Sequence, residues 1–215
     1  MARLKLAVLV SGRGSNLQAL IDACEAPGYP AEIALVIANV ADAFGLARAE
    51  RSGLPTRVID HKGFSDRDAF DAALTRSIEE SGAQLVCLAG FMRLLTAGFC
   101  ERWRDRLINI HPSLLPAFKG LHTHERVLEA GVRITGCTVH FVRPTMDEGP
   151  IIAQAAVPVG SSDNAETLAA RVLEQEHRLY PLAVRLIAEG RVTVHGERAD
   201  ITGADAPRGS LISPP

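Results

Sequence analysis

The sequence has few cysteines and little net charge, and each shortage argues against a class of protein. Four cysteines are spread widely along 215 residues with no C-x-x-C pair: Cys24, Cys87, Cys100 and Cys137. Disulfide-stabilised secreted domains are shorter and much denser in cysteine, so we expect reduced thiols and a cytoplasmic location. The formal net charge of −2 gives no general electrostatic reason to bind nucleic acid or an anionic membrane.

A long hydrophobic run is also missing at the start of the chain. Segment 1–10 is one short apolar run that includes two basic residues, and it is too short to span a bilayer. It leads directly into a glycine-rich turn instead of a small-residue cleavage site. A first core strand is therefore favoured over a signal peptide, and we expect no membrane attachment.

Apolar runs and amphipathic stretches alternate in the first part of the chain. The apolar runs predict strands at Lys5–Val10, Ile33–Ala38, Thr56–Ile59 and Leu85–Ala89. Between them, apolar residues recur at helical spacing, which predicts helices from about Leu17, at Ala41–Ser52 and at Asp66–Ser81. Fully apolar strands that alternate with helices favour a parallel sheet covered on both faces.

The pattern changes in the second half. Leu107–Ile110 predicts a short strand, and the β-rich runs Thr135–Val142 and Ile151–Val157 predict an antiparallel extension of the sheet. A long helix is expected from Asn164, kinked or broken at Pro181. The sequence thus predicts an α/β fold with a mostly parallel, twisted, Rossmann-like sheet, helices on both faces and an antiparallel C-terminal extension.

One domain is expected over residues 1–194, since the length suits a single hydrophobic core. From 195 to 215 the sequence mixes Gly, Pro, Ser and charged residues without periodicity. That composition predicts an irregular, mobile C-terminal tail.

The segment Ser11–Asn16 (SGRGSN) links the first predicted strand to the first predicted helix. Free N–H groups at a helix start bind anions, and glycines let a phosphate approach the backbone, so a phosphate monoester site is one hypothesis. A tight turn capped by Ser15 or Asn16 explains the segment equally well. Leu17 stands where the dinucleotide fingerprint has its third glycine, and no Walker-type Gly-Lys-Ser/Thr follows.

Three polar residues are candidates for chemistry. Asn109 and His111 are two apart on a predicted strand, so their side chains share a face. An amide N–H and a protonated imidazole suit the stabilisation of an oxyanion, although a lone histidine at a strand end is more often structural. Asp147 lies in a Gly/Pro loop and alone would be a turn former. If the fold brings it to His111, its carboxylate would favour the charged imidazole.

Two other groups remain open. His122, His124 and His140 do not combine with His111 into any familiar metal motif, so we expect no metal site. Met92–Leu95 is either a plain core segment or the wall of a slot for a flat heterocycle.

Five motifs occur in an order that resembles one family. They are Ser11–Leu17 (SGRGSNL), Leu88–Arg93 (LAGFMR), Asn109–Pro116 (NIHPSLLP), Gly120–His124 (GLHTH) and Asp147–Ile152 (DEGPII). Together they closely resemble phosphoribosylglycinamide formyltransferase, the folate-dependent glycinamide ribonucleotide transformylase, from about Leu4 to Val194. The resemblance implies the formyltransferase fold. It also implies transfer of a formyl group from the co-substrate 10-formyltetrahydrofolate to the amine of phosphoribosylglycinamide, in purine biosynthesis.

The resemblance further implies residue roles. Asn109 and His111 would stabilise the oxyanion, with Asp147 keeping the imidazole charged. The phosphoribosyl substrate would be bound by four residues: Gly14, Ser15, Asn16 and Glu176. The folate would be bound by six: Arg67, Met92, Arg93, Leu94, Leu95 and Asn109. The sequence departs from some relatives at Phe118-Lys119 and at Leu173, which leaves details of substrate contact open.

Four other functions would account for part of these features. A formyltetrahydrofolate hydrolase shares the chemistry but normally begins with a regulatory domain, whereas the first strand here is expected at Lys5. A methionyl-tRNA formyltransferase carries a C-terminal tRNA-binding domain, which the short tail cannot supply. An NAD-dependent oxidoreductase is disfavoured by the broken glycine pattern and by Ala38-Asn39, where an acidic residue would stand. A phosphosugar-binding module would explain the loop but not the catalytic candidates. The sequence leaves the oligomeric state open, with a homodimer as one option.

Overall fold

The computed structural model describes residues 2–203 and 211–213. Helices and strands follow one another as β1 (Leu4–Val10), α1 (Ser15–Glu25), β2 (Ala31–Ala38), α2 (Phe44–Arg51), β3 (Thr56–Val58), α3 (Arg67–Glu80), β4 (Leu85–Leu88), α4 (Ala97–Arg102), β5 (Leu107–His111), α5 (Thr123–Glu129), β6 (Ile134–Phe141), β7 (Ile151–Pro158), α6 (Ala165–Ala188), β8 (Val192–His195) and β9 (Arg198–Ile201). A short 3-10 turn follows β3 at His61–Gly63.

A seven-stranded sheet has the order β3-β2-β1-β4-β5-β6-β7. Strands β1 to β5 are parallel, and β6 and β7 continue the sheet in antiparallel pairing. The mostly parallel sheet with an antiparallel extension is therefore confirmed.

Side-chain alternation along β1 explains why the sheet is covered on both faces. Leu6, Val8 and Val10 belong to one core cluster, whose members also come from α1 and α6. Ala7 and Leu9 point the opposite way into a second cluster with residues of α3 and α4. Because both faces are buried, a central strand must be apolar throughout, and the apolar runs reflect that requirement.

Helix α6 begins with a capping box, in which Asn164 and Thr167 each bond the other's backbone N–H. The helix runs without interruption through Pro181, so the alternative in which proline breaks it is wrong. Packing holds the helix across this point: Tyr180 is fully buried, and its hydroxyl donates to the Leu88 carbonyl at 3.0 Å. Tertiary contacts of this kind outweigh the missing backbone hydrogen bond of proline.

The C-terminal segment was predicted to be irregular from residue 195, and for Arg198–Ile201 this is wrong. β8 and β9 form an antiparallel hairpin closed by Gly196 and Glu197. Apolar residues on one side of the hairpin, among them Val194 and Ile201, pack against the main core. The rest of the predicted tail, at 204–210 and 214–215, lies outside the described residues, and the domain boundary at 194 stays a prediction.

All four cysteines are free thiols. Burial raises the pKa of Cys24 to about 11 and that of Cys137 to about 12. Within residues 2–203 and 211–213, no helix combines the length and apolar character needed to cross a membrane. The same part of the chain contains no cluster of three His, Cys, Asp or Glu side chains able to hold a metal ion.

Candidate active site

The candidate site lies at the carboxyl edge of the sheet, where strand order reverses. β1 is flanked by β2 on one side and by β4 on the other, so the chain leaves β1 in one direction and later returns to its opposite side. Open α/β sheets bind ligands in the crevice that this reversal creates beyond the strand ends. Ser11 follows β1, Gly90 follows β4 by two residues, and His111 ends β5, so three of the sequence motifs meet at this edge.

The turn between β1 and α1 needs glycine for a packing reason as well as for access. Gly14 has a left-handed backbone (φ 68°), and a Cβ there would lie 2.6 Å from the Cα of Gly45 at the start of α2. The Gly45 N–H also donates to the Gly12 carbonyl at 3.0 Å. This close approach fixes the turn so that the first N–H groups of α1, beginning with Ser15, face outward from the helix end, where an anion is favoured.

A cavity of about 300 Å³ opens beside that helix end, lined by Ser15, Gln18, Ala19, Asp22, Arg48 and His177. Arg48 is its cationic residue: its Nε donates to the Arg13 carbonyl at 2.9 Å, and Nη1 donates to the Gln18 amide oxygen at 3.2 Å. Burial and the nearby Arg48 charge lower the pKa of His177. Neither Arg48 nor His177 was among the residues predicted from sequence.

Asn16 and Glu176 join α1 to α6. The Asn16 amide donates to a Glu176 carboxylate oxygen at 2.7 Å, and both side chains are buried. Burial raises the pKa of Glu176, and the Asn16 hydrogen bond opposes part of that rise. Gly14, Ser15, Asn16 and Glu176, all predicted to bind one substrate, are therefore neighbours in the fold.

His111 is buried and contacts an acceptor through each ring nitrogen. Its Nε2 donates to the Phe118 carbonyl at 2.9 Å, and its Nδ1 lies 3.4 Å from Oδ2 of Asp147. The same carboxylate oxygen accepts from the Gly120 N–H at 2.7 Å. Since a carbonyl can only accept, Nε2 carries the proton of the hydrogen bond to Phe118, and the Nδ1 contact with Asp147 is an ion pair when Nδ1 is protonated as well.

Asn109 stands opposite His140 in the β5–β6 register. The Nδ1 of His140 donates to the Phe141 carbonyl at 2.9 Å, which leaves its Nε2 as an acceptor 3.4 Å from the Asn109 amide nitrogen. Burial lowers the pKa of His140, so the ring is neutral and can accept. His140 thus orients the Asn109 amide, a role that the sequence does not indicate.

The predicted folate segment is connected to the glycine turn through Ser11. The Ser11 hydroxyl accepts from the Met92 N–H at 2.7 Å and donates to the Asn39 side chain at 2.6 Å. Met92 and Leu94 are large apolar side chains left exposed, at 63% and 57%. An exposed apolar pair beside a crevice suits a flat ring better than it suits solvent.

The other predicted folate residues have different surroundings. Leu95 is partly buried against the second core cluster, and Arg93 is half-buried. The Asp71 carboxylate on α3 accepts from the Thr96 N–H at 2.7 Å and anchors the end of this segment. Arg67 is exposed at the first position of α3, and no hydrogen bond or ion pair within residues 2–203 joins it to the rest of the site.

Known proteins are similar to this chain over most of its length. A family model described as formyl transferase matches residues 4–184. The chain belongs to the formyl transferase family. It is 44% identical over 204 residues to phosphoribosylglycinamide formyltransferase of Escherichia coli, covering 95% of this chain and 96% of that relative.

A relative at 54% identity over 199 residues is the trifunctional purine biosynthetic protein adenosine-3 of Gallus gallus. The match takes in 93% of this chain but spans only about a fifth (20%) of the length of that relative. Among solved structures, glycinamide ribonucleotide transformylase 1 of Symbiobacterium toebii is 49% identical with a TM-score of 0.90, covering 93% of this chain and 94% of that one.

The candidate site has two halves. One half contains the α1 terminus with Arg48 and Glu176, and the other the exposed apolar segment 92–94. His111 and Asp147 come from the neighbouring β5 end and the loop after β6. Sequence reasoning missed Ser11, Arg48 and His140 as contributors; only Ser11, as part of the SGRGSN motif, had a signal that pointed to it.

Proposed function

We propose that the protein transfers the formyl group of 10-formyltetrahydrofolate to the amine of N1-(5-phosphoribosyl)glycinamide, a step of purine biosynthesis in the cytoplasm. The observation that carries the proposal is the pairing of His111 with two acceptors, Phe118 O and Asp147, beside a helix end that suits a phosphate. The named relatives support the choice of substrates.

The substrate phosphate would bind at the α1 terminus, with Ser15 and Arg48 in reach of it. Helix N–H groups and a guanidinium together suit a phosphate dianion, because the N-terminal end of the helix dipole and the side chain are both positive. Glu176 would contact the glycinamide portion from the neighbouring helix. The pterin-like ring of the folate would take the slot beside Met92 and Leu94.

In the reaction, the amine nitrogen attacks the formyl carbon, and the carbonyl electrons move onto oxygen. Asn109 donates an amide hydrogen to that oxyanion. His111 in its imidazolium form supplies a positive charge, and its Nε2–H donates to the oxyanion once it leaves the Phe118 carbonyl, because Nδ1 faces Asp147. The Asp147 carboxylate fixes the ring and places a negative charge beside Nδ1. The intermediate then collapses: the bond from the formyl carbon to folate N10 breaks, and the proton lost by the amine reaches N10.

The decisive experiment mixes the purified protein with 10-formyltetrahydrofolate, with and without phosphoribosylglycinamide, and follows the folate by absorbance. A transferase gives tetrahydrofolate only when both substrates are present, together with an equal amount of the N-formyl product. Folate conversion without the amine would identify a formyltetrahydrofolate hydrolase instead.

A further inference from the structure

Arg143 is a buried arginine at the base of the loop that carries Asp147. The residue is only 7% exposed. Its Nη2 donates to an Asp105 carboxylate oxygen at 2.8 Å, and its Nε lies 3.0 Å from a Glu197 carboxylate oxygen. Charge-assisted bonds from a largely desolvated guanidinium are stronger and more directional than pairs between two exposed side chains. The Arg143 head group is therefore fixed from two sides.

The stem of Arg143 closes the loop. A Cβ placed on Gly149 would lie 3.0 Å from Arg143 Cγ and 2.1 Å from the Phe141 carbonyl, so the two ends of loop 143–149 touch. The Phe141 N–H also donates to the Pro150 carbonyl at 2.9 Å. Asp147 lies inside this closed loop with a left-handed backbone (φ 51°). Because the first and last residues of the loop are in van der Waals contact, a displacement of Arg143 also displaces the rest of the loop.

The partners of Arg143 come from distant parts of the chain. Asp105 lies between α4 and β5, the strand that ends in His111. Glu197 lies in the tight turn of the β8–β9 hairpin, which packs on the core through Val194 and Ile201. The Arg143 guanidinium thus connects the loop of Asp147 to the connection before the strand of His111, and to the C-terminal hairpin.

We infer that Arg143 is a positioning residue that sets Asp147 against His111, with the C-terminal hairpin supporting it through Glu197. This inference rests on the proposed function, in which Asp147 acts through His111. It gives the hairpin a role in catalysis, although the hairpin lies outside the sheet that carries the site.

The test uses variants of the full chain. Arg143→Met keeps the stem against Gly149 and removes the guanidinium, while Glu197→Gln neutralises one partner at the surface. Removing Arg143 leaves two carboxylates that water can reach, since the side chains of Asp105 and Glu197 are 41% and 60% exposed. Glu101→Gln is the matched control, because Glu101 shares Arg104 with Glu197 but does not pair with Arg143, so it weakens only the Arg104 part of this network.

A misplacement of about 1 Å at a reacting centre can cost about a hundredfold in rate. We expect Arg143→Met to lower kcat about tenfold and Glu197→Gln about threefold, with the KM of both substrates unchanged. Glu101→Gln should match the wild type. In an Asp147→Asn background, neither variant should lower kcat further.

Hydrogen exchange at the Gly120 amide provides a readout independent of activity, because that N–H donates to Asp147. Exchange there should be faster in both variants and unchanged in Glu101→Gln. Unchanged Gly120 exchange, kcat values equal to the control, or losses that persist beside Asp147→Asn would each overturn the inference. If Arg143→Met does not fold, Glu197→Gln decides. If the wild type transfers no formyl group, the proposed function fails, while Gly120 exchange still decides the positioning.

Discussion

His111 Nδ1 lies 3.4 Å from Asp147 Oδ2, although one residue ends a strand and the other lies in a loop beyond the next strand. Both side chains are almost fully buried, at 7% and 11% exposure. The contact is therefore shielded from solvent and from salt, and each residue should depend on the other.

We predict that Asp147→Asn lowers kcat about a hundredfold, the usual order for loss of one element of a preorganised oxyanion site. The substituted amide can still accept from the Gly120 N–H, so the loop should keep its conformation. In a His111→Asn background the same change should cost little, because its effect acts through the imidazole. A double-mutant cycle on kcat measures this, and additive losses would show that Asp147 is only a turn residue.

Arg48 provides a test of the phosphate site. Gly14 is a poor probe, because any side chain there would collide with Gly45 and disturb the packing of α1 on α2. Arg48→Met should lower kcat/KM for the phosphoribosyl substrate about tenfold, as expected for loss of one charge-assisted hydrogen bond. The KM of the formyl folate should not change.

The control for Arg48 is Arg51→Met. Both guanidinium groups lie over the Phe44 ring, at 5.1 and 5.7 Å from its centroid, but Arg51 does not line the cavity at Ser15. Steady-state kinetics should separate the two variants. Equal losses in both, or an equal rise in the folate KM, would remove Arg48 from the phosphate site.

The sheet could be predicted from sequence because its central strands are buried on both faces. Because both faces of a strand such as β1 are buried, its side chains must all be apolar, and glycines in the turns separate one apolar run from the next. The short helices α4 and α5 were missed, since six or seven residues carry too little periodicity and depend on tertiary packing. The β8–β9 hairpin did carry a signal: alternating valines before a two-residue Gly196-Glu197 turn.

The site was predictable only in part. Asn109 and His111 share a strand face, so their pairing follows from spacing alone. The contact of Asp147 with His111 depends on how a loop folds back, and only the family resemblance suggested it. His140 acts through Asn109, which lies opposite it only because of the antiparallel β5–β6 register. Arg143 acts through partners that include Glu197 in the distant hairpin. The residues next to His140 and Arg143 in the sequence do not reveal these partners.

The exposed apolar side chains of the folate segment give a third prediction. Leu94→Asp should raise the KM of the formyl folate about tenfold or more, because burial of a leucine contributes about 1.5–3 kcal/mol. Leu94 is 57% exposed in the free protein, so the change should leave the free energy of unfolding and the phosphoribosyl-substrate KM unchanged. Leu95, which packs on the core, would confuse binding with folding.

Leu182→Asp on α6 is the matched control for Leu94, since Leu182 is 47% exposed and lies outside the segments assigned to substrate. Its folate KM should equal that of the wild type. An unaltered folate KM in a folded Leu94→Asp protein would exclude segment 92–94 from the folate slot.

The buried carboxyl of Glu176 makes the stability of the folded protein depend on pH. Burial raises the pKa of this carboxyl above its ordinary value of 4.5, so the folded state holds the proton more tightly than the unfolded chain does. At a pH below the ordinary pKa, Glu176 is protonated in both the folded and the unfolded chain, so its burial costs no charge desolvation. As the pH rises through the raised pKa, the folded protein must ionise a buried carboxyl, and stability falls. Glu176→Gln, which is always neutral, should escape that loss.

We therefore predict that Glu176→Gln has a higher free energy of unfolding than the wild type at about pH 7, and that the difference shrinks toward about pH 4. The variant amide can still pair with Asn16, because an inverted Asn16 side chain would present its oxygen to the new N–H. Urea unfolding across this range measures the difference. Glu174→Gln is the control, because Glu174 is exposed on the same helix and should give no pH-dependent gain. A Glu176→Gln protein less stable than the wild type at neutral pH, or a difference independent of pH, would mean that the Asn16 hydrogen bond outweighs the cost of burying the charge.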